Sequence, residues 1–227
     1  MVEEKATQAH VSHGPVGLLG PDGFRRQTGV SRETLAKLER YAELLRRWQQ
    51  TINLVSPASL TDLWRRHMLD SAQIFPLLPP GAAVSIDMGT GAGFPGLVLA
   101  ILGVSRTHLI EADARKCAFL REVARETGLI TGGAVQVHHA RLESFRMAGG
   151  TDAITARALA RLDELLAYAD PFIASATVCI FPKGRNVNVE LTQALERWNM
   201  RVERFPSLTD RSGTILRLSH VHRRTER

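Results

Sequence analysis

The spacing of apolar residues changes near residue 80 and divides this chain into two parts. From Ser31 onward, apolar side chains recur at helical spacing and charged side chains fill the other positions. This pattern predicts an amphipathic helix that packs through one stripe. Pro79, Pro80 and Gly81 then end the helical pattern and mark a boundary. The stripe consists of Leu35, Leu38, Ala42, Leu45, Trp48 and Ile52.

Beyond that boundary, short apolar runs alternate with helical patterns. Such alternation predicts an α/β fold in which a mostly parallel sheet is covered by helices on both faces. We expect seven strands in a doubly wound sheet, with an antiparallel pair at the end of the chain. The predicted strands span 83–88, 107–111, 134–138, 153–155, 177–181, 201–205 and 214–218, and the predicted helices span 95–103, 115–127, 162–169 and 188–199.

The domain prediction has four parts. Residues 1–30 contain several glycines and prolines without a sustained period, so we expect a flexible tail there. Residues 31–80 are expected to form an N-terminal helical extension and residues 81–220 the α/β domain. Residues 221–227 are expected to form a basic tail.

The composition favours a cytoplasmic protein that does not enter a membrane. The longest apolar run, Leu97 to Leu102, is far shorter than a membrane span. The N-terminus lacks the basic and apolar stretches of a signal peptide. Cys117 and Cys179 lack metal-ligand spacing, which favours two core thiols in a reducing compartment and no metal site. We expect a monomer.

The formal net charge of +6 is unevenly distributed. The excess of basic residues lies in 24–67 and 197–227, whereas the intervening segment is slightly acidic. Basic flanks around such a segment favour a polyanionic partner held by the two flanks. Nearly all of the basic residues are arginines, and a GC-rich genome would produce the same bias. The charge alone therefore leaves both explanations open.

A glycine-rich segment, residues 86–96, directly follows the first predicted strand. Glycine lets a backbone pass close to a ligand because it has no Cβ and accepts positive φ. Gly91, Gly93 and Gly96 satisfy the G-x-G-x-x-G fingerprint of dinucleotide sites, which hold a pyrophosphate at a helix N-terminus. Pro95 lies where that helix should begin, and it has no N–H to donate. This argues against a diphosphate ligand.

A second template, acid-x-Gly-x-Gly-x-Gly, also fits the segment. It uses Asp87, Gly89, Gly91 and Gly93 and suits a ligand with an amino-acid end and a ribose but no phosphate. The next strand should then end in an acid for the ribose hydroxyls, about 20 residues further on. Glu111 stands there. We therefore favour S-adenosylmethionine as the cofactor.

Eight motifs, taken in chain order, resemble the RsmG family, also called GidB, which methylates N7 of a guanine in bacterial 16S ribosomal RNA. The resemblance covers about residues 33 to 218 and implies the Rossmann-like class I methyltransferase fold. Ala156, Glu111 and Ala112 depart from the serine, aspartate and serine usual in the family. The motifs are Trp48-x-x-x-Ile52-Asn53-Leu54, Arg66-His67-Met68-Leu69-Asp70-Ser71, Asp87 to Gly96, Leu109-Ile-Glu-Ala, Phe119-Leu120, Arg141-Leu-Glu143, Ala156-Arg157-Ala158 and Lys183-Gly184.

The resemblance also implies a set of cofactor-binding residues. Two roles stay open for Asp87, which either orders the loop or contacts the cofactor ammonium. Two stay open for Phe94, which covers the methionine end or plugs the loop against the core. Arg157 pairs with the methionine carboxylate, holds Glu143 or forms a plain structural ion pair. The full set is Asp87, Gly89, Gly91, Gly93, Phe94, Glu111, Leu142, Glu143 and Arg157.

Methylation of N7 needs no general base, because that nitrogen carries a free lone pair. Orientation of the reactants therefore supplies the rate, and we assign no catalytic acid or base. The target base must be unpaired or flipped out, with RNA phosphates held near the cofactor. Lys183 is the best single candidate for an RNA contact. The candidates are Arg65, Arg66, His67, Lys116, Lys183 and Arg185.

Three other classes of protein stay open at this stage. One is an S-adenosylmethionine-dependent methyltransferase with a substrate other than ribosomal RNA. Another is a nicotinamide dehydrogenase that uses the G-x-G-x-x-G fingerprint, against which Pro95 argues. The last is an RNA-binding protein without enzymatic activity. The preferred hypothesis is a methyltransferase acting on 16S rRNA or the small ribosomal subunit.

Overall fold

The computed structural model describes residues 17–130 and 133–224, and residues 1–16 of the tail predicted for residues 1–30 lie outside them. Seven strands form one sheet in the order β3-β2-β1-β4-β5-β7-β6. Strands β1 to β5 are parallel, and β7 is antiparallel to both of its neighbours. This confirms the predicted doubly wound sheet. The strands are β1 Val84–Met88, β2 Arg106–Glu111, β3 Val135–His139, β4 Ala153–Thr155, β5 Val178–Lys183, β6 Trp198–Pro206 and β7 Thr214–Arg223.

Helices cover both faces of the sheet, as the alternating pattern predicts. One large apolar core lies between the sheet and the helices α2, α5 and α6, and a second lies between the sheet and α7 and α8. A π-helical turn, Trp64–Leu69, precedes α4. The helices are α1 Pro21–Thr28, α2 Arg32–Gln49, α3 Pro57–Leu60, α4 Asp70–Ala72, α5 Gly96–Leu102, α6 Ala114–Glu126, α7 Leu162–Ala169 and α8 Val187–Arg197, with 3₁₀ turns at Phe75–Leu77 and Asp170–Phe172.

The predicted tails are wrong where the structure describes them. Residues 21–28 form α1, and Phe24 is fully buried with its ring 5.4 Å from that of Trp64. A helix this short with a single buried residue leaves no hydrophobic period in the sequence. At the other end, β7 continues to Arg223, and residues 225–227 lie outside the described part.

The extension packs against the α/β domain through α2. Ser31 caps α2 by accepting a hydrogen bond from the Thr34 N–H at 3.0 Å. The apolar stripe of α2 then lies in the same core as α5 and α6. None of the helices within the described ranges is long and apolar enough to cross a membrane.

Candidate functional site

A cavity of about 860 Å³ opens at the carboxyl ends of the parallel strands. Its wall includes residues that follow β1, β2, β3, β4 and β5. The strand order reverses between β1 and β4, and ligands of open α/β sheets bind in the crevice at such a point. The extension and the β6–β7 connection complete the wall. The volume lies in the upper part of the range typical of ligand sites.

Neighbouring side chains pack closely against the backbone of the glycine loop. Gly93 has a φ of +95°, and a Cβ there would lie 2.5 Å from Leu97 and 2.8 Å from the Tyr41 hydroxyl. A Cβ on Gly96 would lie 2.4 Å from Leu109. Only glycine fits these two positions, because real side chains do not approach so closely. Pro95 precedes the first residue of α5 as its N-cap, and the Phe94–Pro95 peptide bond is cis.

Asp87 lies behind the loop and not in the cavity wall. Its carboxylate accepts hydrogen bonds from the hydroxyls of Thr90 and Thr155 and from the Gly96 N–H at 3.0 Å. Burial raises the pKa of Asp87 to about 6, although these donors act in the opposite direction. Of the two roles left open for Asp87, the contacts correspond to ordering of the loop. Gly93 also lies outside the wall.

Glu111 joins the end of β2 to the glycine loop. One of its carboxylate oxygens accepts a hydrogen bond from the Gly91 N–H at 2.9 Å, and the other from the Asp113 N–H at 2.8 Å. Glu111 lines the cavity together with Gly89 and Gly91. The structure therefore brings together the acid and two of the glycines that the sequence singled out.

The predicted residues beyond β3 also reach the cavity. Leu142 and Glu143 line its wall, and the Tyr168 hydroxyl lies 3.4 Å from the Glu143 carboxylate. Phe94 lines the cavity too but is only 4% exposed. It stacks between Tyr41 and His67, with ring centroids 5.1 and 4.9 Å away. This packing corresponds to the role of a plug against the core.

Arg157 contacts the extension and not Glu143. Its guanidinium donates to the Asp70 carboxylate at 3.1 Å and to the Arg66 carbonyl at 3.0 Å. It also donates to Nδ1 of His67 at 2.8 Å and lies over the ring of Phe94. The predicted contact with Glu143 is therefore wrong, because the partners of Arg157 come from the π-helical turn and from the first residue of α4. Its Nε–H makes no hydrogen bond to the described residues, so Arg157 keeps a donor for a ligand.

His67 is a buried neutral side chain and not a cationic RNA contact. Because Nδ1 accepts from Arg157, the proton is assigned to Nε2, which donates to the Ser59 hydroxyl at 2.8 Å. Burial lowers the pKa of His67 to about 3, and the charges of Arg157 and Arg66 act in the same direction. His67 therefore carries no charge for a phosphate at neutral pH.

Two further RNA candidates are already paired within the protein. Arg65 lies outside the cavity wall, 3.2 Å from Asp62, and donates to a backbone carbonyl of residue 17. Lys183 lines the cavity, but its side chain is only 8% exposed and lies 2.6 Å from Glu190. Because α8 brings the Glu190 carboxylate against it, the Lys183 ammonium is poorly placed for an RNA phosphate, and its contact with RNA stays a prediction.

Three candidates remain accessible around the cavity. Arg66 and Lys116 line it, and Arg185 is exposed but outside the wall. Hydrogen bonds from Ser212, together with the charges of Arg66 and Arg185, hold the pKa of Asp210 below its usual value. The two arginines thus lie near the same part of the β6–β7 connection.

Asp70 is a site residue that we did not single out from the sequence. Its carboxylate accepts hydrogen bonds from Arg157, from the Thr209 hydroxyl and from the Gln73 amide at 3.0 Å. The Gln73 oxygen accepts from the Leu208 N–H at 2.7 Å. Asp70 therefore links the extension to β4 and to the β6–β7 connection. Its place inside the Arg66–Ser71 motif was the available signal.

Comparison with solved structures shows the fold class of this protein. The ribosomal protein L11 methylase of Lactobacillus delbrueckii subsp. bulgaricus is similar with a TM-score of 0.55 and 18% identity, covering 67% of this chain and 77% of that chain. A TehB-like SAM-dependent methyltransferase of Corynebacterium glutamicum is similar with a TM-score of 0.52 and 14% identity, covering 81% and 98%. At these identities the likeness shows the fold alone, which is the Rossmann-like fold of class I methyltransferases.

Sequence comparison defines the family. The model of the GidB family, described as rRNA small subunit methyltransferase G, matches residues 34–215. The ribosomal RNA small subunit methyltransferase G of Rhodospirillum centenum is 55% identical, covering 87% of this chain and 89% of the relative. That of Paramagnetospirillum magneticum is 51% identical, covering 90% and 98%. The chain belongs to the rRNA small subunit methyltransferase G family, which confirms the resemblance found in the sequence.

Proposed function

We propose that this protein transfers a methyl group from S-adenosylmethionine to N7 of a guanine in the 16S rRNA of the small ribosomal subunit. The observation that carries the proposal is the combination of Glu111, the glycine loop and Arg157 around one cavity, in a chain of this family. Its curated relatives are named ribosomal RNA small subunit methyltransferase G. We expect it to act as a monomer in the cytoplasm, where ribosomes are assembled.

The polar groups of the cavity suit a cofactor that has a ribose and an amino-acid end. Glu111 uses its two oxygens for backbone N–H groups but keeps lone pairs for ribose hydroxyls. Arg157 keeps a donor for a carboxylate, and Leu142 offers an apolar contact for the adenine. A diphosphate would meet the Glu111 carboxylate at the glycine loop, which disfavours a dinucleotide.

The reaction needs orientation and no proton transfer. The cofactor supplies a methyl group on a sulfonium, and guanine N7 offers a lone pair to it. The deep polar groups of the cavity are committed to internal hydrogen bonds: His67 to Arg157 and Ser59, and Asp70 to Arg157 and Thr209. These residues hold the wall rigid around the reactants, which is the contribution that such a reaction requires.

RNA is held, in this proposal, by exposed cations around the cavity. Arg66, Lys116 and Arg185 are the accessible candidates, and the basic flanks of the sequence extend the positive surface. Each phosphate contact releases counterions, so binding should weaken steeply with salt. An affinity that does not change between low and moderate salt would contradict this assignment.

The direct test is transfer of a labelled methyl group to small-subunit rRNA from a strain that lacks the gene for this enzyme. We expect one label per RNA, on a guanine, and none when that guanine is replaced by 7-deazaguanine. A label on another nucleotide, or on protein, would overturn the N7 assignment. RNA binding without any transfer would favour a protein that has no enzymatic activity.

Arg157→Met tests the cofactor site within the same assay. The variant keeps much of the side-chain length but removes the donors, so cofactor affinity should fall at least tenfold by isothermal titration calorimetry. Arg161→Met is the matched control, because Arg161 is exposed and contacts Gln193 on α8. An unchanged affinity in Arg157→Met would assign Arg157 to a structural role only.

A further inference from the structure

One half of the cavity is left for the methyl acceptor. The proposed cofactor contacts come from the loops after β1, β2 and β3 and from Arg157. The opposite wall is formed by Ala158 and Leu159 after β4, by the end of β5, by α8 and by the β6–β7 connection. In this half, the Lys183–Glu190 ion pair is the buried pair of opposite charges among the lining residues.

The geometry of this pair leaves hydrogen-bonding capacity unused. The Lys183 ammonium lies 2.6 Å from Oε2 of Glu190 and donates to the Ala160 carbonyl at 3.0 Å, which leaves one of its three protons. The same Glu190 oxygen accepts from the Leu162 N–H at 2.9 Å. Oε1 of Glu190 has no hydrogen-bond partner among the described residues and is not among their fully buried unpaired atoms. This oxygen is therefore accessible, and it belongs to a residue that lines the cavity.

We propose that the Lys183–Glu190 pair recognises the Watson–Crick edge of the target guanine, with Lys183 donating to O6 and Glu190 accepting from N1–H. This inference rests on the proposed function. Guanine presents an acceptor next to a donor along that edge, which matches an ammonium beside a carboxylate. Enzymes that act on a flipped base commonly recognise it by hydrogen bonds to this edge.

The same pair rejects adenine. Adenine has an amino group where guanine has O6 and an unprotonated nitrogen where guanine has N1–H. It would place a donor against the Lys183 ammonium and a lone pair against the Glu190 carboxylate. Mispaired polar groups of this kind give strong discrimination, because each is left unsatisfied in a partly closed site. The pair is also neutral overall, so it adds no net positive charge beside the nitrogen that becomes cationic.

The structural contacts of Glu190 use only Oε2 and leave Oε1 without a role in the fold. Oε2 alone joins α8 to β5 and caps the first N–H of α7. Glu190→Gln keeps an oxygen for the Leu162 N–H and nearly the same shape, so the helix cap is preserved. A purely structural pair would affect stability but not the choice of base.

The test is a chemical double-mutant cycle on an RNA substrate. 2-Aminopurine at the target position keeps N7 and the 2-amino group but lacks O6 and N1–H. We expect Glu190→Gln to lower kcat/KM on the guanine RNA by roughly 10- to 100-fold, the effect of one hydrogen bond to a charged group. Wild type should lose a similar factor or more on the 2-aminopurine RNA. The variant should then lose little further on that RNA, because the two changes remove the same contact.

Matched measurements separate this contact from a structural effect. Cofactor affinity should stay within twofold in Glu190→Gln, and thermal unfolding reports any loss of folding. Glu203→Gln removes another ion-paired carboxylate, on β6 and outside the cavity wall, and should leave methylation unchanged. Lys183→Gln should show the same non-additivity with 2-aminopurine.

The outcomes distinguish this inference from the proposed function. Additive losses, or full activity of Glu190→Gln on guanine RNA, would overturn recognition by the pair while wild-type transfer to N7 still stands. Failure of wild type to methylate guanine RNA would overturn both. Non-additive losses in Glu190→Gln and Lys183→Gln, with normal cofactor affinity, are the expected result.

Discussion

The contact between Tyr41 and the glycine loop provides a test of how the extension supports the site. Tyr41 is fully buried on α2, and its hydroxyl donates to the Ala92 carbonyl. The described residues offer that carbonyl no second donor, and Ala92 is only 4% exposed. Tyr41→Phe removes this single hydrogen bond and keeps the ring that stacks on Phe94.

The expected loss follows from leaving a buried acceptor without a partner. Such a change costs about 1–3 kcal/mol. For a chain of 227 residues each kcal/mol corresponds to about 2–4 °C in Tm, so Tm should fall by about 2–12 °C. Burial raises the pKa of Tyr41 well above its usual value, so the hydroxyl keeps its proton and the effect should be equal at pH 7 and pH 9.

Thermal unfolding of Tyr41→Phe and Tyr168→Phe, followed by circular dichroism, measures this loss. The hydroxyl of Tyr168 donates to exposed Glu164, so its removal should change Tm little. Cofactor affinity, measured by calorimetry, should also fall in Tyr41→Phe because Ala92 lines the cavity. Equal Tm values for wild type and Tyr41→Phe would refute the argument, as would equal losses in both tyrosine variants.

Three other properties can be checked in the same way. Gly96→Ala should lose about 1–3 kcal/mol in denaturant unfolding, because its Cβ would lie 2.4 Å from Leu109. Gly184→Ala should lose almost nothing, since no atom lies within 4 Å of its Cβ, and equal losses would contradict the packing argument. The pKa of His67 is lowered to about 3 in the fold, so the unfolded chain binds this proton first. The contribution of His67 to the free energy of unfolding should therefore be complete above about pH 6.5 and decline toward pH 3. In His67→Gln the free energy of unfolding should fall less steeply over this pH range. Parallel pH curves for wild type and His67→Gln would exclude this role. Burial raises the pKa of Cys179 to about 12, so at pH 8 Ellman's reagent should label it only after unfolding; rapid labelling of the folded protein would show an exposed thiol.

The centre of the sheet could be predicted because strands β1, β2, β4 and β5 are mostly buried on both faces. Strand β4, Ala153–Thr155, lies where the sequence places it, and the other parallel strands agree within two residues at each end. The closing strands β6 and β7 are longer than predicted. The residues beyond the predicted ends include exposed Asn199, His220 and His222, so no continuous hydrophobic run marks the ends of these strands.

The parts of the site at strand ends could also be predicted. Glu111 and Gly91 meet because β1 and β2 are adjacent and parallel, and their carboxyl ends therefore share one edge of the sheet. The cationic contacts could not be predicted in the same way. A lysine or arginine in a sequence carries no information about its partner. Lys183 pairs with Glu190 only because α8 packs beside β5. Local charge patterns therefore overestimated the surface available to RNA.

The sequence predicts RNA contacts on the extension, whereas the buried side chains of the extension contact the proposed cofactor half of the cavity. Tyr41 holds the glycine loop, His67 stacks on Phe94, and Asp70 pairs with Arg157. All three reach the proposed cofactor half of the cavity from outside the α/β domain. Without them, Phe94 would lose both of its stacking partners and Arg157 its carboxylate. The extension is therefore a wall of the site, and the sequence boundary near residue 80 separates two patterns of residues but not two independent functional units.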